Sequence, residues 1–236
     1  MPDISVLGEA IDVWHLPLTR ERSDHALLSA DERERLDRFR IDTKKVQFLS
    51  ARSQMRRILA SYVGADPAAL QFAYGEHGKP SLPDHPDLEF NLSHSGRAGL
   101  LGVTLGARLG VDVELEKPRR RFEGIAARFF APPEHTALMA LAEKSRPAAF
   151  YRAWACKEAY LKTWGTGLSF PSNKFAIDYS GAGPPRVLTT DMPDDHQDGC
   201  LMRAVRTFPG HAAAVCFSGE ERWLRHFAPG GCSDAI

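Results

Sequence analysis

The chain has 236 residues, of which 43% are hydrophobic and 25% are charged, as is typical of a folded globular protein. Its 30 basic and 30 acidic side chains give a formal net charge of zero, which argues against nucleic acid or an anionic membrane as a partner. No run reaches the roughly 18 apolar residues of a membrane helix, and the start of the chain does not resemble a secretory leader, so we expect a cytoplasmic protein.

The first half of the chain is predicted to place helices ahead of strands. Ser29 precedes an acidic turn and opens one helix, and a second helix runs from Thr43 to Gly64 with apolar residues on one side. The stretch 75–87 is rich in glycine and proline and predicts a loop. Its Lys79 precedes a proline, which argues against a nucleotide-binding P-loop.

Residues 98–115 are predicted to form a β-hairpin that turns at Gly106. In its second strand Asp112 and Glu114 alternate with apolar residues, so the two carboxylates are expected on the face opposite the core. Paired carboxylates offer hard oxygen ligands to a divalent cation, and a solvated strand face shows the same alternation. The pattern alone leaves both interpretations open.

The second half is predicted to contain two short helices within residues 122–142, broken by Pro132 and Pro133. A longer helix follows and ends at Gly165, and a hairpin turns at Pro209 and Gly210. Both halves therefore run from a strand through helices into antiparallel strands.

Two further polar clusters could carry chemistry. Trp154, Glu158 and Lys162 recur every fourth residue of the long predicted helix and share one face; they could also be an ordinary Glu–Lys pair beside a core tryptophan. Ser93 and His94 lie in a polar turn between apolar runs and could bind a phosphate, or simply form a loop.

Four segments, in this order, carry a resemblance to a known family. FNLSHSGRA at 90–98, GVDVELE at 110–116, RFFAPPE at 128–134 and WACKEAYLK at 154–162 resemble the signature segments of the surfactin-synthetase-type 4′-phosphopantetheinyl transferases, and GKP at 78–80 also matches. The resemblance covers the central third of the chain. It implies an α+β fold of two similar lobes, residues 1–107 and 108–236, each with helices packed on a small antiparallel sheet and a ligand cleft between them.

The resemblance also implies the reaction. The protein is expected to be an enzyme that transfers the 4′-phosphopantetheine group of coenzyme A to a serine of an apo acyl or peptidyl carrier protein and releases 3′,5′-ADP. Mg²⁺ is the implied cofactor and coenzyme A the co-substrate. A monomer with a pseudo-dimeric architecture is expected, with no nucleic acid or membrane partner.

The same resemblance assigns roles to individual residues. Asp112, Glu114 and Glu158 are implied to hold Mg²⁺, and Lys162 to contact the phosphates. Glu158 is also the implied general base, with a metal-bound water as the alternative. Glu134 is implied to support the site. Coenzyme A is implied to bind at Arg35, Arg52, Lys79, Ser93, His94 and Lys162.

Two other functions are weighed against this one. A protein that binds coenzyme A or a carrier protein without catalysis would not need all three acidic positions and Lys162. A metal-dependent hydrolase that removes phosphopantetheine would gather histidines around its metal, and only His94 lies near these motifs.

The segment 117–130 places basic residues beside apolar ones, including Arg119, Arg120 and Arg121. Carrier proteins of this class present an acidic helix next to the modified serine, so we expect the segment to orient the carrier. A solvated basic turn with Phe129 and Phe130 in the core is the alternative.

Overall fold

The computed structural model describes residues 4–117, 122–179, 183–192 and 199–229. The α-helices are α1 (Ala30–Asp37), α2 (Asp42–Val63), α3 (Phe122–Phe129), α4 (Pro132–Ala140) and α5 (Arg146–Trp164). The strands are β1 (Ala10–Pro17), β2 (Ala73–Tyr74), β3 (Pro80–Ser81), β4 (Leu88–Ser95), β5 (Ala98–Leu105), β6 (Leu109–Leu115), β7 (Phe175–Asp178), β8 (Arg186–Thr190), β9 (Cys200–Ala204), β10 (His211–Ser218) and β11 (Trp223–Phe227).

Two sheets form the centre of the fold. The first has the strand order β11-β1-β5-β4 and the second the order β6-β10-β9. Neighbouring strands are antiparallel, except that β11 runs parallel to β1. The short pairs β2–β3 and β7–β8 are separate.

Each sheet carries a helix on its outer face. Met55 and Leu59 of α2 lie in one buried cluster with Phe90 and Leu101 of the first sheet. The buried apolar residues in the second half of α5 form a second cluster with those of β9 and β10. A third cluster fills the space between the two sheets, so the order of layers is helix, sheet, sheet, helix. This arrangement confirms the predicted α+β fold with two similar parts.

The predicted helices are confirmed, and their ends show why. The backbone N–H of Ser29 donates to Glu32 and closes a capping box at the start of α1. Gly64 and Gly165 end α2 and α5 with φ of 67° and 70°, a backbone region that favours glycine. The β9–β10 hairpin is confirmed as well.

The hairpin predicted over 98–115 is wrong. Strand β5 is hydrogen-bonded to β1 and β4, whereas β6 is hydrogen-bonded to β10 of the other sheet. The chain turns at Gly106 (φ 66°) and crosses between layers. A Cβ on Gly102 would lie 2.7 Å from Val111 Cγ1, so β5 and β6 are packed face to face instead of side by side.

The last strand crosses the division between residues 1–107 and 108–236, since β11 pairs with β1. We retain the division after residue 107 as a proposal. Apart from β11, it separates the strands of the first central sheet from those of the second. Within the described ranges, none of the helices combines the length and apolar character that a membrane span requires.

Candidate active site

Strand β6 presents its carboxylates toward α5, as the alternation predicted. Val111 and Val113 belong to the apolar cluster between the sheets, which places Asp112 and Glu114 on the other face. Gly110 lets α5 approach the strand closely, because a Cβ there would lie 2.1 Å from the Ala159 carbonyl oxygen. The Glu158 and Lys162 side chains of α5 are thereby brought to the carboxylates of β6.

Lys162, Asp112 and Ser93 form a tight triangle. The Lys162 ammonium donates to Asp112 Oδ1 at 2.6 Å and to Ser93 Oγ at 2.9 Å, and the Ser93 hydroxyl donates to the same Asp112 oxygen at 2.7 Å. Ser93 was predicted as a coenzyme A contact, and the structure brings its hydroxyl to the carboxylate of β6.

Glu158 is the carboxyl group whose ionisation is most relevant to chemistry at neutral pH. Burial, followed by the negative charge of Asp112, raises its pKa to about 7, while Lys162 acts in the opposite direction and Glu114 adds to the rise. Several carboxylates that repel one another in a partly buried space would be relieved by a cation. The group can therefore exchange a proton, or accept a cation, near neutral pH.

The carboxylates of this cluster suit Mg²⁺ in their chemistry. Asp112 is 3% exposed, and among the described residues its Oδ2 atom has no hydrogen-bond partner. Such an orphaned carboxylate oxygen suits a hard cation. As the side chains stand, no three His, Cys, Asp or Glu groups in the described part of the chain converge closely enough to hold a metal ion; Lys162 holds Asp112 Oδ1. The donor chemistry fits Mg²⁺, and binding requires the side chains to rearrange.

A cleft of about 320 Å³ opens beside this cluster. Its walls come from both halves of the chain, and its charged side chains are basic except for Glu158. The predicted site residues that line it are Arg35, Arg52, Lys79, His94, Glu158 and Lys162. Arg35 and Arg52 both lie over the Phe48 ring, at 5.5 and 5.6 Å from its centroid. The cleft therefore joins a cationic surface to the carboxylates of α5 and β6.

Two cleft residues have perturbed ionisation. Burial lowers the pKa of Lys79, opposed by Glu89, to which its ammonium is bonded at 3.2 Å. The pKa of His94 is lowered by loss of hydration, then by the positive charges of Lys44 and Lys162. The imidazole is exposed along the open cleft, close to these cations. A phosphate bound there would offset the positive charge around His94.

Glu134 lies away from the cleft. Both of its carboxylate oxygens accept from the ammonium of Lys157, at 2.8 and 2.7 Å, and the backbone N–H groups of Ala131 and Ile177 also donate to it. Burial lowers the pKa of Lys157 to about 8, opposed by Glu134. The pair anchors α5 to α4 and to the start of β7.

Sequence reasoning missed two residues of β4 that contact β6. Ser95 Oγ donates to Glu114 Oε2 at 3.0 Å, and Asn91 Oδ1 accepts from the backbone N–H of Val111 at 2.9 Å. Together with Ser93 they occupy alternate positions on one face of β4. Polar residues at every second position of a predicted strand were the signal that could have identified them.

A second, larger cavity of about 580 Å³ is mainly aromatic and has Glu114 in its wall. Phe129 and Trp154 line it, while Phe130 is buried in the core. The basic residues Arg119, Arg120 and Arg121 lie outside the described residues. The alternative position of Phe130 in the core is thus confirmed.

In this candidate site, the carboxylates of β6 and α5 meet a cleft that carries several basic side chains. Residues 108–216 match the 4′-phosphopantetheinyl transferase superfamily, and residues 14–104 match the 4′-phosphopantetheinyl transferase N-terminal family. The 4′-phosphopantetheinyl transferase HetI of Nostoc sp. is 36% identical over 71% of this chain and 74% of its own. A 4′-phosphopantetheinyl transferase of Bacillus subtilis is 34% identical over 85% of this chain and 87% of its own.

One solved structure, the holo-[acyl-carrier-protein] synthase of Neisseria meningitidis, aligns with 48% of this chain and 97% of its own at a TM-score of 0.41 and 15% identity. The sequence matches are what decide the family. The chain belongs to the 4′-phosphopantetheinyl transferase superfamily and is an enzyme of that class.

Proposed function

We propose that this enzyme transfers the 4′-phosphopantetheine group of coenzyme A to the serine hydroxyl of an apo acyl or peptidyl carrier protein. The serine oxygen bonds to the β-phosphorus, the bond from that phosphorus to the 3′,5′-ADP oxygen breaks, and the serine proton passes to a base. The observation that carries the proposal is the meeting of a basic cleft with Asp112, Glu158 and Lys162.

Coenzyme A binds in the basic cleft. Arg35, Arg52 and Lys79 supply positive charge along its walls, and the His94 imidazole supplies a hydrogen-bond donor, which suits the several phosphates of this co-substrate. Lys162 lies where the cleft meets the carboxylates and stabilises the charge that develops on the leaving phosphate.

Glu158 is the proposed general base for the serine proton. With no cation bound, burial raises the pKa of this carboxyl group to about 7, so it accepts a proton more readily than an ordinary glutamate at neutral pH. A carboxylate bound to Mg²⁺ is a poorer base. A water molecule held at the same cluster remains the alternative acceptor.

Asp112, Glu114 and Glu158 would hold Mg²⁺. The ion, when bound, supplies positive charge to the pyrophosphate and the leaving group. Lys162 then exchanges its contact with Asp112 for the phosphate. We further propose that the enzyme acts as a monomer, because one chain supplies both walls of the cleft. We also propose that it acts in the cytoplasm.

The test is incubation of a panel of apo carrier domains with the enzyme, coenzyme A and Mg²⁺, followed by intact-protein mass spectrometry. We expect the carrier to gain the mass of one phosphopantetheine, and the gain to be lost in EDTA. An unchanged carrier throughout the panel would favour a binding protein. Loss of mass from a holo carrier would favour a hydrolase.

A further inference from the structure

Ser95, the last residue of β4, is bonded twice to β6. Its hydroxyl oxygen accepts from the backbone N–H of Leu115 at 3.1 Å, and its hydroxyl hydrogen is donated to Glu114 Oε2 at 3.0 Å. A serine hydroxyl has a single hydrogen. The contact with Leu115 therefore leaves that hydrogen for the carboxylate.

The contact with Leu115 supplies a hydrogen bond that a neighbouring strand would otherwise make. Among the described strands, β6 lies at the edge of its sheet and pairs with β10 alone, so the N–H groups of its outer edge need other acceptors. Asn91 supplies one for Val111, and Ser95 supplies one for Leu115. Ser95 is thus fixed to the backbone one residue away from the carboxylate that it contacts.

The turn that carries Ser95 is itself held from two sides. The Ser95 carbonyl is 3.3 Å from His211 Nε2, and the Gly96 carbonyl accepts from Gln47 Nε2 at 2.6 Å. Ser95 also pairs with Ala98 across the β4–β5 turn. The hydroxyl is therefore presented by a rigid frame.

We propose that Ser95 is a positioning residue for Glu114, which rests on the proposed role of Glu114 as a cation ligand. Ser95 fixes the glutamate side chain before the cation arrives, so that less rotamer freedom is lost on binding. Ser93 holds Asp112 in the corresponding way, two residues earlier on both strands. The two hydroxyls align the two carboxylates of β6.

The test is direct cation binding, with Mn²⁺ as the probe and electron paramagnetic resonance as the readout. Ser95→Ala is expected to raise the Mn²⁺ dissociation constant of the folded protein about tenfold. Its thermal midpoint should fall, because the Leu115 N–H loses its acceptor. Ser95→Thr, which keeps the hydroxyl, should restore the affinity to near the wild-type value. Ser61→Ala is the matched control, since the Ser61 hydroxyl bonds only within α2.

Asp112→Ala separates this inference from the proposed function. If Asp112→Ala loses Mn²⁺ while Ser95→Ala keeps wild-type affinity, the positioning role is overturned and the metal site stands. If neither variant changes the affinity, the metal site itself is wrong. Should Ser95→Ala fail to fold, Ser95→Cys replaces it, and equal affinities of the Cys and Thr variants would also overturn the role.

Discussion

The two oxygens of the Asp112 carboxylate have different surroundings. Oδ1 accepts from Lys162 and Ser93, while Oδ2 is buried and lacks a partner among the described residues. In the structural carboxylate of Glu134, both oxygens are bonded. A buried unsatisfied oxygen is destabilising, so its presence at Asp112 is better explained by ligand binding than by the stability of the fold.

Methionine substitutions at the two lysines of α5 should have different effects, one mainly on stability and the other mainly on activity. Lys157→Met leaves Glu134 buried without its cation and should destabilise the protein by about 3–5 kcal/mol, measured by urea unfolding. Lys162→Met removes a partly exposed cation from the cleft and should lower kcat/KM on the order of 100-fold. Its loss of stability should be smaller than that of Lys157→Met, because Asp112 keeps its hydrogen bond from Ser93. Similar losses of rate per folded molecule in both variants would contradict this division.

Sequence patterns could identify some of these residues and not others. Spacing of four placed Glu158 and Lys162 on one helix face, and alternation placed Asp112 and Glu114 on one strand face. Only the family resemblance implied that these two faces meet. The burial of Lys157 could not be predicted, because a lysine on a helix is normally solvated and its partner Glu134 is 23 positions away. Ser95 gains its contact only when strands of different sheets are packed together.

At the scale of elements, local signals sufficed for the helices and failed for one strand pair. Caps, glycines and prolines define helix ends within a few residues of chain. Strand pairing in 98–115 depends instead on residues far away, since β1 and β10 take the hydrogen bonds that the hairpin would have made. Two alternating strands with a glycine turn between them do not reveal whether they pair or cross between layers.

Gly110→Ala should separate α5 from β6. Its Cβ would meet the Ala159 carbonyl oxygen at 2.1 Å and the Thr163 nitrogen at 2.4 Å, and neither backbone can yield locally. We expect a loss of about 1–3 kcal/mol in unfolding free energy and a larger proportional loss of transfer rate. Gly124→Ala on α3 is the control, because nothing lies within 4 Å of its Cβ; equal stability of the two variants would contradict the close contact.

At the scale of the whole molecule, the two ends of the described chain are joined. Arg225 of β11 makes two hydrogen bonds to the buried Asp12 of β1, at 2.6 and 2.9 Å, and the Tyr62 hydroxyl of α2 also donates to Asp12. His15 and His226 are paired at 2.9 Å across the same strands. No local sequence signal links positions more than 200 residues apart, so this closure could not be predicted.

His15 should make the free energy of unfolding of the protein depend on pH. Burial, followed by the nearby His226, lowers its pKa from 6.5 to about 4, so the folded state binds fewer protons than the unfolded state between these values. The contribution is present above pH 6.5 and is lost as pH falls through 4, by at most about 3 kcal/mol. We expect the free energy of unfolding in urea to fall less steeply from pH 7.5 to 4.5 for His15→Gln than for the exposed control His25→Gln.

Carrier recognition involves a surface larger than the site. The family resemblance predicts an acidic carrier, and the basic residues of 117–121 directly follow strand β6 in the sequence. Among the described residues, Arg128 is exposed and lines the aromatic cavity. Charge reversal at Arg120 and Arg121 should raise the KM for carrier protein and weaken its dependence on salt, because steering between opposite charges is screened by ions. The KM for coenzyme A should stay nearly constant. Arg186→Glu, a change at an exposed residue of β8, is the control. If the charge-reversal variant and this control had the same KM for carrier protein across a salt series, the docking surface would lie elsewhere.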